Sequence, residues 1–425
     1  MIKIIHGEVR KRSDVFSAPQ DDRDISGVVA EIIKDVRENG DAALIRYAKK
    51  FDKAELTSIR VTDEEIAAAR KAVEPEFIRI LNAAADNIRF YHERQKRAGF
   101  DIDRGNGVRL GERVMPIEKV GVYVPGGTAA YPSTVLMDCI PASVAGVGEV
   151  YMMTPPRADG SVDPYILAAA GIAGVSGIFK SGGAGAVAAL AYGTETVPKV
   201  YKIVGPGNAY VAQAKRQVFG AVDIDMIAGP SEILVIADGA SDASCVAADM
   251  LSQAEHDRMA SAVLVTDSQE LAYKVANEIE RQLELLPRKD IARASIEANG
   301  RIIVTDSIAA AVASADEIAP EHLELCADNA EELLKLVRNA GSVFVGRYTP
   351  EALGDYFAGT NHTLPTGGTA KFSSPLGVDD FVKKSQYIMY SKEALNAVAD
   401  DIAYFADKEG LHGHAASAVS RKERG

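Results

Sequence analysis

The chain has 425 residues, a formal net charge of −13, and 47% hydrophobic against 25% charged residues. That length outgrows a single hydrophobic core, so two or more domains are expected in an ordinary soluble protein. The acidic balance excludes a nucleic-acid partner, whose phosphates require Lys/Arg clusters, and the start MIKIIHGEVRKRSD is neither a membrane span nor a signal peptide, so a cytoplasmic protein is expected.

In chain order, residues 1–17 read as a short basic N-terminal arm with little potential to join a core. From Asp24 the apolar positions recur at spacings of three and four, as in an amphipathic helix, and Asp41 to Phe51 repeats the pattern. Thr62 with Glu65 three residues on offers a capping box for a helix through Val73, and Pro75 suits the first position of a longer helix to about Arg97. At Val120 the texture changes to short β-rich runs, each followed by a Gly/Pro turn and an Ala-rich helix: VGVYV, EVYMM, GIF and VYKIV, then ILVIAD, AVLVTD, RIIVTD and SVFVG. This alternation predicts βαβ units and parallel sheets. The runs fall into two clusters, roughly 120–230 and 231–346, which predict two related α/β lobes. After Ser385 the pattern returns to helix, with YSKEALNAVADDIAYFADKEG as one amphipathic segment and the last dozen residues as another.

Between them lies Pro350 to Phe381, with five glycines, no sustained period, and the polar residues Glu351, Asp355, Asn361, His362 and Lys371. Its aromatic and aliphatic residues argue against disorder, so it reads as an ordered loop lining a site.

Ligands of open α/β sheets bind beyond the carboxyl ends of the strands, which directs attention to the turns. Val204-Gly-Pro-Gly-Asn208 and Pro125-Gly-Gly-Thr128 could each present backbone N–H groups to a phosphate. Gly183-Ala-Gly185-Ala-Val-Ala188 fits G-x-G-x-x-A, without an acidic residue ending the next strand to hold a ribose. Each glycine alone is equally explained by tight packing. In the helical run around Ala247–Asp257, Gln253 and His256 share a face and could share a metal ion. Glu321 and His322 are adjacent, poor partners on one metal but reasonable as two separately placed proton carriers. Asp355 offers a further carboxylate, and at Glu409-Gly-Leu-His412-Gly-His414 the spacing does not choose between the histidines. A mixed N/O set of this kind suits Zn²⁺, or Mn²⁺ and Co²⁺. The three cysteines, Cys139, Cys245 and Cys326, form no CxxC pair and read as buried thiols. From the residues alone, a zinc hydrolase or a non-enzymatic α/β binding protein also fits.

The runs GVYVPGGTAAYPSTVLM, VGPGNAYVAQAKRQVFG, DIDMIAGPSEILVIAD, LSQAEHD, APEHLEL and GDYFAGTNHTLPTGGTAKFSSPLGVDDF closely resemble histidinol dehydrogenase, over roughly residues 25 to 415. The resemblance implies two Rossmann-like lobes with parallel sheets, plus small N-terminal and helical C-terminal extensions. The expected division is an arm at 1–17, a first lobe of 18–122 with 231–376 carrying metal and catalytic residues, a second lobe of 123–230 on the NAD side, and a C-terminal dimerisation segment at 377–425.

It also implies zinc held by Gln253, His256, Asp355 and His414, and acid/base work by Glu321 and His322. Substrate contacts are implied for Ser231 and Glu409 beside Gln253, His256, His322, Asp355 and His414, and NAD contacts for Tyr123, Asn208 and the position of Gly185. Family members are homodimers in which the C-terminal segment reaches the other subunit's site. The implied reaction is oxidation of the amino alcohol L-histidinol to L-histidine through the aldehyde with two NAD. One position departs from the pattern: Gly185 stands where the family usually has glutamine, which removes a cofactor contact and keeps open a sister dehydrogenase acting on another small alcohol, such as a sulfonated propanediol.

Overall fold

The computed structural model describes residues 2–16, 25–126 and 130–423. The Asp24 start of the first helix and the Gly127-Thr128 half of the second glycine turn lie outside them. The chain forms two compact units, Met1–Gln95 with Ile117–Phe381, and Lys96–Pro116 with Val382–Gly425.

The larger unit is built on two parallel sheets. One holds β4 (Lys119–Tyr123), β5 (Glu149–Thr154), β6 (Gly177–Lys180), β7 (Lys202–Val204) and β8 (Asp223–Ile224) in the order β6-β5-β4-β7-β8. The other holds β1 (Lys3–His6), β9 (Glu232–Ala237), β10 (Ser261–Thr266), β11 (Arg301–Val304), β12 (His322–Cys326) and β13 (Ser342–Val345) in the order β1-β11-β10-β9-β12-β13. In each, five successive strands take the 3-2-1-4-5 order of a doubly wound fold, so each lobe is Rossmann-like. The strands are apolar on both faces, as parallel strands covered by helices must be. Along β9, Ile233, Val235 and Ala237 join one core while Leu234 and Ile236 join the other.

The helices are α1 (Ser26–Tyr47), α2 (Asp63–Ala72), α3 (Pro75–His92), α4 (Pro132–Ala145), α5 (Pro164–Ala173), α6 (Gly183–Tyr192) and α7 (Ala209–Val218) around the first sheet. Around the second are α8 (Ala243–Ala254), α9 (Gln269–Leu283), α10 (Lys289–Asn299), α11 (Ile308–Ile318), α12 (Ala330–Leu334) and α13 (Glu351–Tyr356). The capping box forms: Glu65 N–H donates to Thr62 Oγ1 at 3.2 Å and Thr62 N–H to Glu65 Oε2 at 2.8 Å. Gly40, at φ +49° and ψ −132°, breaks α1 between the two amphipathic runs.

Two expectations are corrected. Residues 25–92, assigned to a lobe with 231–376, pack on the sheet of 119–224 instead: Val29, Val36 and Leu44 share a core with α6, and Leu81, Ala85 and Ile88 share one with α4 and α5. An amphipathic pattern states that one face is buried and leaves the covering sheet open. The arm at 1–17 is not idle either, since β1 pairs with β11 and Ile2 is buried.

The expected helical C-terminal extension is present, within a C-terminal unit that also holds strands. The unit joins β2 (Phe100–Gly105), β3 (Val108–Pro116) and β14 (Val382–Tyr390) in an antiparallel sheet of order β14-β3-β2, with α14 (Lys392–Lys408) packed on α15 (His412–Glu423). The hairpin turns at Asn106-Gly107, with φ +54° and +80°, the Asn-Gly signal of a two-residue β-turn. Its strands are largely exposed and lack a continuous apolar run, which hid them among their charges.

Candidate active site

The polar residues of the lobe built on the six-stranded sheet converge at the amino ends of β9 and β12, neighbours in that sheet with His322 in register with Ile233. This is the end opposite to the one that the doubly wound rule favours. Helix α11 closes at Ala319, a non-glycine at φ +51°, which with Pro320 turns the chain so that Glu321 and His322 enter β12.

Glu321 is buried, and its Oε2 accepts from the backbone N–H of Glu232 at 2.9 Å. His322 Nδ1 donates to the main-chain oxygen of the same Glu232 at 3.0 Å, a direction dictated by the carbonyl's inability to donate. The peptide groups of one residue therefore orient both members of the pair. His322 Nε2 is buried without a hydrogen-bond partner, at 3.8 Å from both Glu351 Oε1 and Asp355 Oδ1. Burial pushes Glu321 up to about 8, with His322 opposing. Burial alone would depress His322, but the charges of Glu321, Glu351 and Asp355 carry it well above its ordinary value.

Glu351 and Asp355 sit one turn apart on α13, so both face His322. His322, Glu351 and Asp355 each bring a ligand-type atom within 4.8 Å of the others. Glu351 is held from behind: Ser252 Oγ donates to its Oε2 at 2.8 Å, and its own N–H donates to Glu324 Oε1 at 2.6 Å. Burial raises Glu351 to about 7. Asp355 ends below the usual carboxylate range: burial opposes ionisation, but the nearby rings of His322, His362 and His256 outweigh it. His362 Nδ1 lies 3.9 Å from Asp355 Oδ1, and its Nε2 meets Thr134 Oγ1 at 3.2 Å. The stretch 350–381, expected as a loop without helical period, opens instead with helix α13, which carries Glu351 and Asp355, and its following loop brings His362 beside Asp355.

Gln253 closes the last turn of α8, and His256 lies just past it, its N–H on Gln253 O at 3.2 Å. Burial lowers His256, opposed by the Asp355 charge, so the ring and the carboxylate share one environment. Gln253 Oε1 is buried with no partner. The orphaned, buried Gln253 Oε1, with the His256 imidazole and the Asp355 carboxylate, makes an N/O donor set that fits a zinc-type ion, and the equally orphaned His322 Nε2 is left for proton transfer. Ser231 immediately precedes Glu232, partly exposed. Glu409 and His414 belong to the C-terminal unit, where both are exposed and line a cavity of about 420 Å³ with Val398, Ile402, Phe405 and Leu411. The residues that sequence reasoning passed over are Glu232, whose main chain does the positioning, and Glu351, left without a role in the loop.

The lobe built on the five-stranded sheet carries the residues expected to contact the cofactor, at the carboxyl ends of its strands. Tyr123 ends β4, and its Oη accepts from Gly183 N–H at 3.2 Å. Asn208 caps α7, its Oδ1 accepting from Tyr210 and Val211. β4 and β7 are adjacent at the point where strand order reverses, where doubly wound sheets open a crevice. Between them Gly205, at φ +111°, is gripped at both peptide faces: its N–H donates to Asp225 Oδ2 at 2.8 Å and its oxygen accepts from Lys215 Nζ at 3.0 Å. Lys215 and Asp225 form a buried ion pair. Gly185 is buried in α6, where an added Cβ would meet Leu44 and Tyr47 of α1 at the ordinary distances of 3.5 and 3.6 Å.

The family model of the histidinol dehydrogenases matches residues 17–422. The chain is 55% identical over 398 residues to a histidinol dehydrogenase of Clostridium acetobutylicum, covering 94% of this chain and 92% of that one. It is 53% identical over 424 residues to that of Geobacillus kaustophilus, covering 100% and 99%. The crystal structure of histidinol dehydrogenase from Elizabethkingia anophelis superposes with a TM-score of 0.94 at 40% identity, covering 100% of this chain and 98% of that one. Fold, full-length coverage and identity agree, and they displace the hydrolase and binding-protein readings: the chain belongs to the histidinol dehydrogenase family of oxidoreductases.

Proposed function

We propose that the protein oxidises L-histidinol to L-histidine through L-histidinaldehyde, using zinc and two NAD in succession. The observation that carries this reading is the Glu321–His322 pair, oriented by the N–H and the C=O of one residue, Glu232, with His322 Nε2 bare and buried. Gln253, His256 and Asp355 would hold the metal, completed by His414 of the C-terminal unit. Zinc, when bound, supplies a template that holds and orients the substrate's imidazole and amine. NAD supplies the hydride acceptor; Tyr123, the Asn208 amide and the turn at Gly205 would receive it, with backbone replacing the missing side chain at Gly185.

In its neutral form, with the ring proton on Nδ1, His322 takes the alcohol proton at Nε2 as the carbon gives up hydride, which leaves the aldehyde. The carboxylates of Glu351 and Asp355 stabilise the imidazolium so formed. Glu321 then takes a proton from water as the water oxygen bonds to the aldehyde carbon, and loss of a second hydride leaves the carboxylic acid. Burial of the pair keeps bulk water from competing with the single attacking one. Ser231 and Glu409 would contact the substrate.

The protein would act as a homodimer with exchanged C-terminal segments. Three free cysteines suit a cytoplasmic setting, and no described helix is long and apolar enough to cross a membrane.

The test is to give zinc-loaded protein NAD⁺ and limiting L-histidinol. About two NADH per substrate consumed is expected for a four-electron oxidation. None, with metal and NAD⁺ both bound, would move the protein to a sister enzyme of another alcohol.

A further inference from the structure

Glu321 immediately precedes β12 and His322 is its first residue, and the side chains of both hydrogen-bond to the peptide groups of Glu232. What holds Glu232 comes from the far N-terminus. Its buried carboxylate forms an ion pair with Arg12 and accepts from Gly367 N–H at 3.1 Å. The other guanidinium nitrogen of Arg12 donates to Ile318 O at 2.8 Å, three residues before Glu321, where α11 ends. Phe16 covers the guanidinium at 4.6 Å from its ring centre. One side chain thus spans the inputs to β9 and β12, the two strands whose relative placement sets the acid/base pair. A planar fork with several donors suits this bridging better than an ammonium.

We propose that Arg12 is a positioning residue for the Glu321–His322 pair, acting through the Glu232 peptide and the Ile318 carbonyl rather than on the substrate. The inference rests on the proposed function for its kinetic readout and on geometry alone for its spectroscopic one. Removing Arg12 leaves the Glu232 carboxylate buried without its counter-charge. Relief by rotation or hydration of that side chain then turns the two peptide groups flanking the Glu232 Cα, on which both functional groups depend.

The experiment uses the full-length zinc-loaded protein with Arg12→Met, and Arg12→Lys beside it. Arg12→Met should lower kcat for both oxidations about 10- to 100-fold, as loss of supporting contacts to functional groups does, while KM for NAD stays unchanged and Arg12→Lys recovers part of the rate. Independently of any substrate, the His322 Nδ1–H proton should give a downfield, slowly exchanging resonance, assigned by its loss in His322→Asn. Arg12→Met should lose that resonance or move it upfield. Should Arg12→Met fail to fold, Glu232→Gln carries the same comparison. An unchanged kcat, or an unchanged Nδ1–H resonance, overturns the proposal. A wild-type protein inactive on histidinol would refute the functional reading instead, with the resonance still deciding the role of Arg12.

Discussion

His322 Nδ1 lies 3.0 Å from the main-chain oxygen of Glu232, an atom that only accepts. Nδ1 therefore keeps its proton, and Nε2 is the nitrogen left for catalysis. His322→Asn should lower both oxidation steps by about 10²- to 10⁴-fold, the usual contribution of a positioned base. Glu321→Gln should spare the first step and stall the second. Single-turnover measurements starting from histidinol and from histidinaldehyde distinguish the two, and equal loss of both steps in Glu321→Gln would refute this division of labour.

The second step carries its own pH signature. Burial raises Glu321 to about 8, so below that pH it holds a proton and cannot take one from water. The rate of aldehyde oxidation should rise with pH and level off above about 8, and Glu321→Gln should abolish that rise. A flat profile in the wild type would remove Glu321 as the base.

Metal binding should stabilise the fold by mass action, about 2.7 kcal/mol at a free concentration one hundred times Kd. Treatment with a chelator should lower Tm and abolish turnover, and zinc should restore both; Gln253→Ala should bind less zinc. If the C-terminal segments are exchanged, mixing inactive Asp355→Ala and His414→Ala proteins should recover some activity. None, after verified formation of mixed dimers, would exclude the exchange.

Asp138 is fully buried on α4, with Thr363 Oγ1 donating to its Oδ1 at 2.7 Å. Burial raises it to about 8 from the ordinary 3.8 of an aspartate. The folded protein keeps this proton where the unfolded chain has released it. Its contribution is therefore full below pH 4 and is lost as pH rises to about 8, at up to about 1.4 kcal/mol per pH unit. Urea denaturation across pH 5 to 8 should show that slope in the wild type relative to Asp138→Asn, and parallel curves would contradict it.

Gly205 has no room for a side chain, because a Cβ would run into the carbonyl oxygen of Tyr123 and its φ is +111°. Gly205→Ala should cost about 2 to 4 kcal/mol from strain and overpacking together. Lys215→Met, which frees the Gly205 carbonyl, should raise KM for NAD more than it lowers kcat. Denaturant midpoints and initial rates check the two claims separately.

Sequence pattern alone determined eight strands of the two lobes, β4 to β7, β9 to β11 and β13, because parallel strands covered on two faces are runs of Val, Ile and Leu that need no partner to be recognised, whereas the two-residue β8 and the polar-interrupted HLELC of β12 carry no such run. Thr62 with Glu65, Pro75 and the adjacent Glu321 and His322 were legible for the same reason: their chemistry acts within a few residues. The tertiary structure decided which sheet residues 25–92 cover, that Lys3–His6 is a strand, and that 100–116 pairs with 382–390. It alone decided that β9 and β12 are neighbours, and with that the meeting of Glu232, Glu321, His322 and Glu351 around one buried nitrogen. Local pattern records how much of a residue is buried, whereas the partner it is buried against depends on strand order, which no local spacing encodes.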